Sequence, residues 1–125
     1  MDSNLLTCSL TYSSFTDIIT NEHTCVWLST SGANLEIKSC NIIRNKQVNQ
    51  NSQGIISTYG NLRIEYSCIL ENRAKCIFYQ VNSNYKFTLS NCTANSTSNN
   101  GYMTTQNTVT LLKSTRESVI LSLCY

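Results

Sequence analysis

The amino-acid sequence contains an internal repeat that covers most of the chain. The segment 34–45 reads NLEIKSCNIIRN and the segment 61–72 reads NLRIEYSCILEN, so a shift of 27 superimposes asparagines on asparagines and apolar side chains on apolar side chains. The same shift towards the N-terminus finds a weaker copy, CSLTYSSFTD. FTLSNCTAN fits at an offset of 25 in the other direction, and VTLLKST fits at a further offset of 22. A repeat of this length is typical of proteins that stack one structural unit on the next.

The five copies align into columns of similar residues. Two columns are apolar and a third contains small residues: Cys8/Leu35/Leu62/Phe87/Val109, Leu10/Ile37/Ile64/Leu89/Leu111 and Ser13/Cys40/Ser67/Cys92/Ser114. A second short segment recurs between the copies as CVWL at 25–28, GIIS at 54–57, CIFY at 76–79, GYMT at 101–104 and SVIL at 118–121, which aligns Cys25 with Gly54 and Cys76. Apolar residues that alternate with a period of two predict short β-strands with one buried face.

Short strands that recur between turns rich in Asn and Ser predict a parallel stack in which each repeat forms one layer, here called a rung. Asn, Ser and Thr together account for 48 of the 125 residues, Pro is absent, and no segment sustains a helical period. We therefore predict an all-β fold with one domain over 1–125, a parallel β-helix (solenoid) of about five short rungs. Parallel crossovers are overwhelmingly right-handed, so we expect a right-handed helix. The apolar C-terminal run SVILSLCY indicates a truncated product or one piece of a longer polypeptide.

The charged residues independently favour the same parallel register. A shift of 27 brings opposite charges together: Glu36 with Arg63, Lys38 with Glu65, and Asp17, Arg44 and Glu71 in one column. Opposite charges on neighbouring strands stabilise a sheet, so we interpret these side chains as structural ladders. Lys46 falls beside Arg73, a like-charge neighbour that we attribute to a register loosened by the long insert NKQVNQNSQ.

The two alternating segments, shaped LxIxxC/SxI and (C/G)-V/I-W/I/F-x, resemble the rungs of right-handed parallel β-helix repeat proteins. These belong to the pectin-lyase-like superfamily, and the chain resembles in particular its Asn-rich members in protist surface-protein sets. The resemblance covers nearly the whole chain. Many members are polysaccharide lyases and hydrolases that need clustered acidic residues. This chain has two Asp, Asp2 and Asp17, and nothing matches the family's catalytic clusters, so we predict no enzymatic activity and no catalytic, cofactor-binding or metal-binding residues.

His23 and the cysteines are the remaining candidates for chemistry. His23 lies two residues from Cys25 and would form a Cys/His nucleophile pair, although a thiol at the head of a strand fits a core position better. Cys40 and Cys92, like Cys25 and Cys76, are separated by one intervening rung, about 9–10 Å, which exceeds the reach of a disulfide. We predict that these four are buried reduced thiols. The alternative is a cross-rung pair such as Cys68 with Cys92, with Cys124 bonded to another chain, and the redox states of Cys8, Cys68 and Cys124 stay unassigned.

Two surface features bear on partners. Asn91 and Asn95 begin N-glycosylation sequons, which matter only if the parent protein is secreted. Exposed tyrosines would either line a carbohydrate-binding face or serve as cross-strand neighbours, and we favour the second interpretation: Tyr12, Tyr66, Tyr79, Tyr85 and Tyr102.

These patterns predict a non-catalytic structural or adhesive β-helix segment of a surface or secreted protein. The alternatives are the remnant of a carbohydrate-active enzyme without its catalytic rungs, and a passive fragment with no independent role. A net charge of +2 without a basic cluster excludes a nucleic-acid binder driven by a basic field. No apolar run is long enough for direct membrane insertion. The expected partners are carbohydrate or further rungs of a longer parent chain, and an extracellular or cell-surface location requires a signal that this sequence does not display.

Overall fold

The computed structural model describes residues 7–21, 23–29, 34–49 and 54–110, and within them every regular element is a β-strand. The strands are β1 (Thr7–Thr11), β2 (Ser14–Thr16), β3 (Ile19–Thr20), β4 (Val26–Ser29), β5 (Asn34–Lys38), β6 (Asn41–Ile43), β7 (Lys46–Gln47), β8 (Ile56–Tyr59), β9 (Leu62–Glu65), β10 (Cys68–Leu70), β11 (Phe78–Gln80), β12 (Lys86–Ser90), β13 (Thr93–Ala94), β14 (Tyr102–Gln106) and β15 (Val109–Thr110).

These strands form stacked sheets in which all neighbours are parallel. The first sheet has the order β1-β5-β9-β12-β14, and the second has the order β2-β6-β10-β13-β15. The third sheet has the order β4-β8-β11, and β3 pairs with β7 in a fourth sheet. The chain therefore visits the sheets in turn and returns to the first one strand further along. This arrangement confirms the all-β, parallel part of the prediction and is consistent with a β-helix or solenoid.

The register of the first sheet agrees with the repeat in the sequence. Leu35 lies beside Leu62 and Ile37 beside Ile64, at the offset of 27. Phe87 lies beside Leu62 at the offset of 25. Because alternate side chains point to opposite faces of a strand, this register stacks apolar residues on apolar residues along the interior.

The core is filled by these inward columns together with the third sheet. Ile37, Ile64 and Leu89 are completely buried, and the rings of Phe78 and Phe87 meet with centroids 5.5 Å apart, which joins the third sheet to the first. Each fully buried side chain of this size contributes about 1.5–3 kcal/mol. Burial of these stacked columns is therefore the main stabilising term.

The corner between the first and second sheets repeats with the same local geometry. One residue per rung has a positive φ: Tyr12, Ser39, Tyr66, Asn91 and Asn107. The small residue that follows, for example Ser67, donates a hydrogen bond to the carbonyl two residues back, at 2.9 Å in the case of Glu65. The full set of donors is Ser13, Cys40, Ser67, Cys92 and Thr108. This bond explains why the column contains small side chains with a polar hydrogen.

The fifth copy of the repeat is not where the sequence pattern places it. The pattern puts Val109 beside Phe87, but Met103 occupies that position, and Val109 pairs with Thr93 instead. The segment GYMT therefore belongs to the first sheet rather than the third. The reason is a shortened passage between β13 and β14, where the third sheet is continued only by a single bridge from Phe78 to Asn99. Leu111, Ser114 and the segment 118–121 lie outside the described residues.

The expected alignment of the third sheet is also wrong, by one residue, at its first strand. Val26 lies beside Ile56, and Ile56 beside Phe78, so that Thr24 rather than Cys25 is level with Gly54. A slip of one residue moves every side chain of a strand to the opposite face. As a result, Trp27 faces outward instead of sharing a position with the buried Ile56.

Candidate functional site

The ladder on the first sheet brings the expected residues together but pairs them differently. Glu36 is in register with Arg63, and Lys38 with Glu65. The direct ion pair runs along the strand, from Arg63 Nε to Glu65 Oε1 at 3.1 Å, and it raises the pKa of the Arg63 guanidinium, with a weaker attraction from Glu36. Lys38 Nζ lies 5.9 Å from the centre of the Tyr66 ring. Of these charged residues, Arg63 and Glu65 therefore form an ion pair, whereas Lys38 lies near an aromatic ring and Glu36 accepts a hydrogen bond from Ser9 Oγ at 3.2 Å.

The second charged column lies at the corner that follows the second sheet. Arg44 Nε contacts Asp17 Oδ1 at 2.9 Å, and Arg44 Nη2 donates to Asp17 Oδ2 at 3.2 Å. This two-pronged hydrogen bond holds the pKa of Asp17 below its usual range, so the carboxyl is a poor proton donor. Glu71 directly follows β10 as Arg44 follows β6 and Asp17 follows β2, and all three residues have a positive φ.

Next to this column is a depression of about 420 Å³, here called the corner cleft. It is lined by Asp17, Ile19, Arg44, Asn45, Lys46, Glu71 and Arg73. A second hollow beyond it shares Glu71 and Arg73 and adds Asn95, Ser96 and Ser98 among others. The two depressions therefore form one continuous stretch of surface along this corner.

Lys46 and Arg73, which both line the corner cleft, lie side by side in a parallel bridge. Backbone hydrogen bonds hold this register: Arg73 donates to the Asn45 carbonyl at 2.8 Å, and Gln47 donates to the Arg73 carbonyl at 2.9 Å. The expectation that the long insert loosens the register here is therefore wrong. The two like charges are therefore neighbours at a single β-bridge that two backbone hydrogen bonds hold in register.

Beneath the corner cleft the backbone is supported by buried asparagines. Asn45 is completely buried, accepts the Ile18 N–H at 3.0 Å, and donates to the Phe15 carbonyl at 2.9 Å and to Asn72 Oδ1 at 3.0 Å. Asn72 repeats the pattern and donates to the Ile42 carbonyl at 2.8 Å. The repeated asparagine of this column has a structural role, because each amide satisfies backbone groups that would otherwise be buried without partners.

The two sequons differ in their surroundings. Asn91 is exposed, and its Nδ2 donates to Ser90 Oγ at 3.1 Å. Asn95 is half-buried, and its Oδ1 accepts the Glu71 N–H at 3.0 Å. Asn91 is therefore the more accessible of the two acceptors.

The four cysteines predicted to be buried thiols fall into two groups. Cys40 and Cys92 are buried and free, whereas Cys25 and Cys76 are free but only partly buried. The expectation of full burial is wrong for the second pair, because both residues precede the strands β4 and β11 and are only partly covered. Burial raises the pKa of the thiols of Cys25, Cys76 and Cys92.

The remaining cysteines bear on the alternative prediction of a disulfide between Cys68 and Cys92. Because Cys92 is free, a Cys68–Cys92 pair does not form. Cys68 is nevertheless disulfide-bonded, and Cys8 is free and exposed. Cys124 lies outside the described residues.

The two residues of the candidate Cys/His pair lie in different surroundings, an exposed histidine and a partly buried thiol. His23 is exposed, and its backbone carbonyl accepts a hydrogen bond from Gln47 Nε2 at 3.2 Å. Burial raises the pKa of Cys25, so its reactive thiolate form is disfavoured.

The tyrosines singled out in the sequence do not share one face. Tyr12 and Tyr66 are corner residues, and Tyr102 begins β14 in the first sheet. Tyr79 lies in β11 of the third sheet, and the ring of Tyr85 packs against Tyr59 of the same sheet. A single surface lined by all five is therefore excluded.

The outward side of the third sheet nevertheless carries a different aromatic surface, here called the aromatic face, formed by Trp27, Tyr59, Tyr79 and Tyr85. Trp27 is beside Ser57, and Ser57 beside Tyr79. Trp27 is 49% exposed, whereas Ser57 between the two aromatic residues is fully buried.

The rest of the aromatic face lies two residues further along the strands. The rings of Tyr59 and Tyr85 meet with centroids 5.7 Å apart, and Asn82 Nδ2 contacts the Tyr59 hydroxyl at 3.5 Å. Sequence reasoning missed Trp27 and Tyr59. The alternation of side chains within VWLS and ISTY predicts that Trp27 and Tyr59 point outward once the register between the two strands is known. The sequence alone does not give that register.

Within the ranges that the structure describes, no group of three or more His, Cys, Asp or Glu is arranged to hold a metal ion. The same ranges contain no helix that is long and apolar enough to cross a membrane. No protein-family model, curated protein or solved structure matches the chain.

Proposed function

We propose that this chain is a non-catalytic, adhesive segment of a surface or secreted protein and that it binds carbohydrate through the aromatic face. We further propose that its strands wind as a right-handed parallel β-helix of about five rungs, of the pectin-lyase-like repeat type. The parallel stacking of the first two sheets supports this architecture, and right-handed crossovers are the general rule for parallel strands.

The observation that carries the adhesive role is the aromatic face. Trp27 is exposed, whereas Tyr59, Tyr79 and Tyr85 are half-buried. Apolar surface that remains accessible on a folded protein marks interaction sites. Trp27 and Tyr79 lie two strands apart, about 9.6 Å, with Ser57 between them. Aromatic rings offer flat apolar surfaces on which sugar rings stack, and the Tyr59 hydroxyl and the Asn82 amide supply polar groups at the same surface.

The charged and sulfur-containing side chains support a role without catalysis. Asp17 is engaged by Arg44, and Glu65 by Arg63, so these carboxylates stabilise the stack rather than await a substrate. The thiol of Cys92 is held in its neutral form by burial.

Two features favour an oxidising compartment. Cys68 is disulfide-bonded, and disulfides persist mainly in secreted and cell-surface proteins. Asn91 presents an exposed sequon, which suits a chain that passes through the secretory route.

Binding of the full chain to an array of immobilised glycans tests the adhesive role. We expect that Trp27→Ala and Tyr79→Ala each weaken the strongest signals at least tenfold, because each removes a stacking surface. Tyr102→Ala is the matched control, since Tyr102 is 73% exposed but lies outside the aromatic face. Equal loss in the control, or no glycan bound by the native chain, would refute carbohydrate binding at this surface.

The enzymatic alternative is tested separately by release of unsaturated uronides from acidic polysaccharides, with and without calcium. Release by the native chain would identify a carbohydrate-active enzyme and contradict the non-catalytic proposal. Silence in both the glycan and the uronide assays would instead leave a purely structural role.

A further inference from the structure

The stacked pair of Lys46 and Arg73 departs from the charge pattern of the rest of the stack. Elsewhere in the described part of the chain, charged neighbours of successive layers have opposite signs, as in Glu36 beside Arg63 and Asp17 beside Arg44. Like charges directly opposite each other destabilise a sheet. Lys46 and Arg73 are in register in spite of this, and both are exposed at the corner cleft.

The surroundings of this pair leave an excess of positive charge. Among the described residues, three cationic side chains and two carboxylates line the corner cleft, which leaves a net positive charge there: Arg44, Lys46, Arg73, Asp17 and Glu71. One of the carboxylates, Asp17, is engaged by Arg44 through two hydrogen bonds. Glu71 is the second carboxylate of the lining, and Lys46 and Arg73 are the two exposed cations of the lining besides Arg44.

The shape of the site admits a small group. Ile19 lies beside Lys46 on the other side from Arg73, and its side chain is 72% exposed, which leaves the cleft open to solvent. The cleft holds about 420 Å³, which is more than a single tetrahedral oxyanion occupies. The second hollow, which shares Arg73 and Glu71 with the cleft, extends the surface that a larger molecule carrying the anion could contact.

We propose that the corner cleft binds a tetrahedral oxyanion, the sulfate or phosphate group of a larger ligand, between Lys46 and Arg73. The planar guanidinium of arginine forms paired hydrogen bonds to such oxygens, and the ammonium of lysine adds a point charge. A bound anion turns the repulsion between the two side chains into attraction to a shared partner. This site is separate from the aromatic face and does not depend on carbohydrate stacking there.

Thermal unfolding of the full chain in low millimolar sodium sulfate or sodium phosphate tests the proposal, with sodium chloride at equal ionic strength as the reference. A ligand that binds only the folded state raises Tm in a saturable way. We expect a saturable rise with at least one of the two oxyanions and none with chloride. The comparison of the sulfate and phosphate series identifies which group the site prefers.

Variants separate this site from general salt effects. We expect Lys46→Gln and Arg73→Gln each to weaken the apparent oxyanion affinity at least tenfold, whereas Lys75→Gln, which removes an exposed charge outside the corner cleft, should leave it unchanged. An equal rise with chloride, or a full response in both glutamine variants, would overturn the proposal.

Stability without added oxyanion provides a second measurement. If Arg73 repels Lys46, then Arg73→Gln should have a Tm equal to or above that of the native chain in dilute chloride. A lower Tm for this variant would mean that Arg73 is already satisfied within the protein, and the cleft would then not be an anion site.

Discussion

Several residues at the corners between strands have a positive φ, a backbone conformation that is unfavourable for residues other than glycine. Ser39 has a φ of 56°, in the left-handed region that costs a non-glycine residue about 1–2 kcal/mol. We expect Ser39→Gly to raise the free energy of unfolding by about 0.5–1 kcal/mol, because the relief of strain exceeds the extra chain entropy of glycine. Ser39→Val should lower it by about 1 kcal/mol, since β-branched residues adopt this conformation least readily. Urea denaturation measures both.

Ser14 is the matched control because it is exposed and lies within β2 rather than at a corner. There the order should reverse, with Ser14→Gly less stable than Ser14→Val, since a strand favours β-branched residues. The same order at both positions would show that the corner conformation is not what decides the effect.

Asn45 is the residue at which a polar side chain matters most for stability. Asn45→Leu would remove the side-chain partner of the partly buried Ile18 N–H and the side-chain hydrogen bond to the Phe15 carbonyl, whereas Asn72 Oδ1 would keep the Asn45 backbone N–H. We expect a loss of about 2–4 kcal/mol, because each buried group without a hydrogen bond costs about 1–3 kcal/mol. Denaturant unfolding measures the loss, and the exposed Asn84 provides a control at which Asn84→Leu should change stability little.

Ionisation of a buried thiol makes the free energy of unfolding depend on pH in the alkaline range. Burial raises the pKa of Cys92 above the ordinary value of 9.0, so the unfolded chain loses this proton first as the pH rises. Below 9.0 the stabilising contribution is fully present, and it is lost as the pH rises towards the folded pKa. When the pH is raised from below 9.0 to above it, we expect the free energy of unfolding to fall less for Cys92→Ser than for the native chain. Urea unfolding measures this difference.

Serine is a suitable replacement because Ser67 occupies the equivalent corner and makes the same backward hydrogen bond. Identical pH profiles for the native chain and Cys92→Ser would contradict the assignment of this effect to the thiol.

Among elements, the register between neighbouring strands is the feature that can be tested most directly. Thr88 in β12 lies beside Arg63 in β9. A negative side chain at position 88 would therefore join the ladder that contains Arg63, and a positive one would oppose it. We expect the Tm of Thr88→Glu to exceed that of Thr88→Lys, and the difference to shrink in high salt because exposed charges are screened.

The same pair of substitutions at Thr104 serves as a control. Thr104 lies one strand further from Arg63, beside Thr88, so the difference between Glu and Lys should be smaller there. A larger effect at position 104 than at 88 would contradict the register.

The elements also show where sequence reasoning succeeds. In the first sheet two strands share the pattern NLxI, and the spacing alone gives the pairing of Leu35 with Leu62. In the third sheet the short segments offer no such unique pattern. Cys25 and Gly54 both look like the small residue at the head of a strand, but Thr24 is the one that aligns with Gly54. The neighbouring strands and the loop lengths decide such a case, and a single sequence does not show them.

For the whole molecule, a stack of equivalent layers predicts tolerance to removal of one complete period. Deletion of 35–61 removes one such period and joins Asn34 to Leu62, so that Cys8 would take Leu62 as its neighbour in place of Leu35. Because each layer contacts only its neighbours, we expect a shorter chain that keeps a β-type circular dichroism spectrum and a cooperative, lower-temperature unfolding transition.

Deletion of 36–61 leaves one additional residue in the chain and is the matched control. It would turn the alternating side chains of one layer to the wrong face, so we expect loss of cooperative unfolding. If both deletions behaved alike, the stack would not depend on the period.

For the candidate sites too, part of the arrangement follows from the sequence and part only from the tertiary structure. The sequence shows that charged residues align in columns, and the Asp17–Arg44 pair follows from the offset of 27 alone. The aromatic face could not be read from the sequence, because Trp27 and Tyr79 are brought to one surface by the register of the third sheet. The like-charge pair at the corner cleft is visible in the sequence as an anomaly, but only the backbone hydrogen bonds show that Lys46 and Arg73 remain in register.

The sequence by itself determined that this protein is all-β, that its strands are parallel, and which residues stack along the first two sheets as far as β13. It could do so because a strict alternation and a repeated spacing leave few ways to bury the same apolar columns. Only the tertiary structure decided the position of β14, the face occupied by Trp27 and the partial exposure of Cys25 and Cys76. Loops of variable length allow several local alignments of nearly equal merit, and the packing of the whole stack selects one of them.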